Sequence, residues 1–70
     1  MGANINIQDK EMDFPLSEAA KSGFVEVVNY LLSKGADTSL KNQDGNTAEE
    51  IARISGQVKI AEILRQMARK

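Results

Sequence analysis

Gly35-Ala36-Asp37 stands 33 residues after Gly2-Ala3-Asn4, and Gly56 stands the same distance after Gly23. The pairs Ala19/Ala52, Ser22/Ser55, Val25/Val58 and Leu31/Leu64 keep that spacing too. A fixed period of this size means stacked supersecondary units, none of which buries its apolar face alone. Such arrays present extended surfaces and usually bind partners rather than perform chemistry.

Each period divides into a turn, a short helix, a glycine and a longer helix. Pro15 suits the first helical position, where its missing N–H costs nothing. Leu16, Ala19 and Ala20 then share one face, and Gly23 supplies the left-handed stop. A second helix is predicted over Val25–Ser33. It is apolar almost all round, which predicts burial between neighbours. In the second copy Asp44-Gly45 is a turn dipeptide suited to positive φ. Thr47 and Glu50 have capping-box spacing. The helix they start is predicted over Ala48–Ser55, and a last one over Val58–Arg69. The buried stripe of the last helix is expected to comprise Val58, Ile60, Ala61, Ile63, Leu64 and Met67. Arg65, Arg69 and Lys70 place positive charge near its C-terminal end, where the helix dipole favours it.

The run Pro15-Leu16-x-x-Ala19-Ala20-x-x-Gly23, continued by Val25-Glu26-Val27-Val28-x-x-Leu31-Leu32-x-x-Gly35-Ala36-Asp37, resembles the ankyrin repeat. A second copy runs from Asp44-Gly45-x-Thr47-Ala48 through Ile51-Ala52-x-x-Ser55-Gly56 to Ile63-Leu64. The resemblance covers almost the whole chain. It implies an all-α fold of helix-turn-helix pairs, stacked as a short solenoid with protruding hairpin loops. As one domain, residues 1–8 are the tail of a preceding repeat, 9–41 the first repeat and 42–70 a second, C-terminal capping repeat.

Three departures from the family pattern carry expectations. Phe14-Pro15-Leu16-Ser17 and Thr47-Ala48-Glu49-Glu50 replace the usual Thr-Pro-Leu-His, so the histidine that ties neighbouring loops is absent. Met12 stands where the second copy has Gly45, and methionine takes positive φ at a cost. A distorted or open first turn is therefore expected. Glu49 stands in place of a buried leucine, which suits a wetted terminal face. The N-terminal side has no such substitution. Leu16, Ala19, Val27, Val28 and Leu31 are expected to be partly bare there. Two repeats and a tail fall short of the three units usually needed for stability. The expectation is a longer array, or a homo-oligomer that covers this face by a two-fold contact. A marginal monomer is the alternative.

Composition narrows the function. The net charge of −1 argues against sequence-independent nucleic-acid binding, which needs a basic surface. No apolar run approaches the roughly 18 residues of a membrane span, and no signal peptide is evident. The chain contains no Cys and no His, so Ser/His catalysis, thiolate sites and histidine-bound zinc are excluded. Glu49 and Glu50 do not face each other on a helix, and both sit where the dipole favours carboxylates. An EF-hand reading with Gly45 sixth puts Leu40 and Ile51 at ligand positions, and it fails. No Gly-rich phosphate loop is present. Neither enzymatic function nor any cofactor or metal is expected. An intracellular, cytoplasmic setting is the default.

A binding surface remains. The resemblance implies partner contacts on the hairpin tips and the inner face of the first helix of each pair. These positions are Lys10, Glu11, Asp13, Lys21 and Ser22, then Gln43, Asp44, Asn46, Ile54 and Ser55, with Lys34 flanking them. Solvated loop residues would look the same, since loops are normally polar. Ile54, apolar among polar neighbours, is the sharpest member. The mixed charge of the set favours neither an acidic nor a basic partner. The implied role is a protein–protein interaction scaffold, with a structural, self-associating fragment as the alternative. The resemblance also marks Asn6 as the counterpart of a loop asparagine that is hydroxylated in some ankyrin arrays. Ser39 occupies the equivalent place in the second copy and cannot serve.

Overall fold

Proline, glycine and hydroxyl caps place the helix ends almost where local chemistry predicts them. A computed structural model describes residues 5–68, which form four helices and no strand. Helix α1 spans Pro15–Ser22 and α2 spans Val25–Ser33. Helix α3 spans Ala48–Ile54 and α4 spans Val58–Ala68. Ahead of α1, the Phe14 N–H donates to Ser17 Oγ (2.9 Å), which donates back to the Phe14 carbonyl (2.7 Å). Gly23 then turns left-handed at φ 83° and donates to the Ala19 carbonyl. At α3, Glu50 Oε1 accepts from the Thr47 N–H (2.9 Å) and Thr47 Oγ1 accepts from the Glu50 N–H (3.4 Å). Helix α3 stops one residue before the predicted Ser55, and Arg69 lies outside the described residues.

Helix α1 packs on α3 and α2 on α4, while each pair is closed by its own glycine turn. The core gathers Phe14, Leu16, Val28, Leu31, Ile60 and Leu64 around Ala19, Ala20, Ala48 and Ala52. The alanines let α1 and α3 approach closely, and the branched side chains fill the space between α2 and α4. Packing of this density makes large-to-small changes costly, at about 2–5 kcal/mol for Ile→Ala or Leu→Ala.

Three burial expectations are corrected. Leu16, Ala19, Val28 and Leu31 are buried, not bare, because the second repeat covers them. Of that predicted set only Val27 is exposed. Helix α2 is not buried all round. Val28 and Leu31 face the core, while the row Phe24, Val27 and Tyr30 is 58%, 44% and 59% exposed. On α4 the buried residues are Ile60 and Leu64; Ala61 and Ile63 are half-buried, and Val58 and Met67 are exposed. Each helix has covering neighbours on its core side only, so apolarity alone overstated the burial.

The first turn is also corrected, because it is closed. Met12 takes φ 63°, and its N–H donates to the Asp9 carbonyl at 2.9 Å, as the Gly45 N–H donates to the Asn42 carbonyl at 2.9 Å. Asp9 Oδ1 accepts from the Glu11 and Asp13 N–H groups, both at 2.9 Å. Asn42 Oδ1 accepts from Asp44 and Asn46, both at 3.0 Å. These shared bonds hold methionine in a conformation that costs a side-chain-bearing residue about 1–2 kcal/mol. Relief of that strain should outweigh the added unfolded-state entropy of glycine, about 0.4–1 kcal/mol. Met12→Gly is therefore expected to raise stability by up to about 1 kcal/mol, and Gly45→Met to lower it by a similar amount. Urea unfolding followed by helical circular dichroism checks both; a Met12→Gly midpoint below the native one would refute the strain.

Candidate binding surface

The two loops are tied by main-chain and side-chain hydrogen bonds in place of the missing histidine. Gln8 Nε2 donates to the carbonyls of Met12 and Lys41, both at 2.9 Å. The Asp37 N–H donates to Asn6 Oδ1 (2.8 Å), and the Gln43 N–H to the Glu11 carbonyl (3.4 Å). The Ser39 hydroxyl and N–H both donate to Asp37 Oδ1, and hold this exposed carboxyl below the usual carboxylate range. Both loops thereby project on the same side of α1 and α3.

Between the loops and these helices lies an open groove of about 180 Å³. It is lined by six of the predicted positions: Asp13, Lys21, Asp44, Asn46, Ile54 and Ser55. Ile54 is 74% exposed at its edge. The other predicted positions lie elsewhere. Lys10 and Glu11 flank Asp9 around a separate shallow cleft on the first loop. Ser22 is exposed at the end of α1, and Gln43 is exposed on the second loop. Lys34 is not brought to the groove; its Nζ lies 5.6 Å from the centre of the Tyr30 ring, beyond the end of α2.

Sequence reasoning missed four lining residues: Ser17, Glu18, Asn42 and Ile51. Helical spacing held part of the signal. Glu18 lies three residues before Lys21 on α1, and Ile51 three before Ile54 on α3, so each pair shares a face. The carboxylates of Asp9, Asp13 and Glu18 lie within 4.8 Å of one another. Asp9 and Glu18 are exposed and one Asp9 oxygen already serves the turn. The cluster acts as a negatively charged rim.

The two ends of the stack are unlike. Gln57, Ile60 and Ile63 are the equivalents, 33 residues on, of Phe24, Val27 and Tyr30. Ile60 is 1% exposed in the core, and the Gln57 amide lies across Gly23, so close that an added Cβ would sit 2.7 Å from Oε1. In the first repeat this same row faces solvent. At the other end Leu16, Ala20 and Leu32 correspond to Glu49, Arg53 and Arg65, which share one surface depression with Val58 and Glu62. Glu49 is paired with Arg53 on the next turn. An exposed pair at this spacing contributes only about 0.3–0.5 kcal/mol, so its main effect is to wet the end of the stack.

Comparison with known proteins agrees with this architecture. Residues 1–70 match the family model described as ankyrin repeats in 3 copies. The chain is 41% identical over 51 residues to human "Ankyrin repeat domain-containing protein 37", covering 73% of this chain and 32% of that protein. It is 39% identical over 58 residues to "Alpha-latrocrustotoxin-Lt1a" of Latrodectus tredecimguttatus, covering 83% of this chain and 4% of the toxin. It is 38% identical over 60 residues to human "2-5A-dependent ribonuclease", covering 84% of this chain and 8% of that protein. The chain thus spans a third or less of each of these relatives. The 33-residue period, the paired helices with their glycine turns and the match along the whole chain together make this protein a member of the ankyrin-repeat family.

Proposed function

We propose that the chain is a non-catalytic protein-binding module whose partner lies in the groove between the loops and helices α1 and α3. Ankyrin repeats are generally protein-interaction modules, and the observation that carries the reading here is one convergence. Both repeats send predicted contact residues to a single groove, and Ile54 stands 74% exposed beside it. We assign residues 9–41 and 42–70 to the two repeats, and 1–8 to the tail of another. An intracellular, cytoplasmic setting suits a chain without cysteine. No described helix is long and apolar enough to cross a membrane. Two short repeats offer less contact surface than the roughly 1,200–2,000 Å² buried in stable complexes, so binding by these repeats alone is weak.

Ile54→Glu is expected to abolish recovery of the partner in affinity purification while leaving helical content and melting unchanged. Val28→Glu should instead unfold the chain, because it buries an unpaired charge. Similar behaviour of the two variants would remove the distinction between binding face and core.

A second reading, self-association, is favoured by the exposed row Phe24, Val27 and Tyr30. The charged far end, with Glu49, Arg53 and Arg65, cannot serve as its partner in a head-to-tail stack. The contact is therefore isologous, the same face used twice. Sedimentation at several concentrations should show a dimer that Val27→Glu abolishes; a native chain that stays monomeric throughout sinks this reading. In the double variant Glu49→Leu/Arg53→Ala the far end regains the residues of Leu16 and Ala20. That variant should form open-ended assemblies, visible as a progressive rise in sedimentation coefficient.

A further inference from the structure

We infer that the groove selects a cationic, apolar-anchored peptide segment: an extended stretch of a partner protein in which a branched aliphatic residue is flanked by lysine or arginine. The inference rests on the groove being the partner site and adds the chemistry of what enters it.

Size sets the first limit. Pockets for small ligands and cofactors typically run to about 300–1,000 Å³, and this groove offers about 180 Å³ and is open along one side. It therefore suits one side chain of a longer segment better than a whole cofactor. Its apolar contact comes from α3, where Ile51 is buried in the groove wall and Ile54 stands exposed one turn later. An aliphatic side chain laid against the two removes Ile54 from water.

Charge sets the second. The lining carries Asp13, Glu18 and Asp44 against the single cation Lys21. Asp9 extends the negative rim, its carboxylate within 4.8 Å of those of Asp13 and Glu18. Among the described residues the rim carboxylates form no ion pair; the pair present is Glu49–Arg53, at the far end of the stack. Like charges this close repel, and a cation placed among them relieves several repulsions together. The net charge of −1 hides this, because Lys34 lies beside Tyr30 and Arg53 and Arg65 lie at the far end of the stack, while Lys10 shares a separate cleft with Asp9 outside the groove. The groove is thus more acidic than its predicted members suggested, and Glu18, absent from that set, tips the balance. A basic partner gains both attraction and a faster approach.

The test is a nuclear magnetic resonance titration of the whole chain with two blocked peptides, one alternating arginine with leucine and its twin carrying glutamate for arginine. The basic peptide should shift the amides of Asp13, Asn46 and Ile54 saturably, and bind several-fold more weakly as salt rises from about 50 to 300 mM. The acidic twin should leave them unmoved. Glu18→Gln, at an exposed site that leaves the fold intact, should weaken the basic peptide roughly two- to fivefold. Equal shifts from both peptides, or no effect of Glu18→Gln, would overturn the charge selection while leaving the groove as the partner site. If neither peptide moves these amides, the groove reading falls and the inference with it.

Discussion

Everything in this molecule depends on the apolar layer between its two helix pairs. Neither pair encloses a core of its own. Val28 and Leu31 of α2 are covered because Ile60 and Leu64 of α4 reach across to them, and alanines on α1 and α3 let the inner helices close up. A short chain buries only about 60% of the surface its unfolded form exposes, so there is little margin beyond this layer. The layer also orients the site. Once α1 and α3 lie side by side, the loops before them emerge together, and the groove is the space left between.

The loops show how a local cost is carried by a larger arrangement. Methionine at φ 63° is strained, yet the Asp9 side chain and main chain close the turn around it as Asn42 does around Gly45. Gln8 then ties this turn to the next loop through the Lys41 carbonyl. The tie that the family usually makes through a histidine is made here by the Gln8 amide. Position in the period, more than residue identity, dictates what each side chain must do.

Because the two repeats share one template, their differences carry meaning. At one end the period places Glu49, Arg53 and Arg65 where the first repeat has Leu16, Ala20 and Leu32. At the other it leaves Phe24, Val27 and Tyr30 where the second repeat has residues that pack on a neighbour. One end face carries a charge pair and the other an exposed apolar row. The groove runs along the side of the stack, apart from both end faces.

The family and the helices were legible from the sequence because they depend on local chemistry and on a period. Pro15, Gly23, Thr47 with Glu50, and Gly35 mark their positions whatever surrounds them. The charge on the outer face was legible too, as Glu49 in a leucine's place. Burial on each helix was not, since Val27, Tyr30 and Val58 are apolar on sides that have no neighbour. The charge of the groove was equally hidden. Asp9, Asp13 and Glu18 lie on a turn, a loop and a helix, and only folding brings their carboxylates together. The sequence by itself determined what each segment becomes, because caps and turns act over a few residues. The tertiary structure decided which faces are covered and which charges converge, because those depend on distances between segments that no local pattern records.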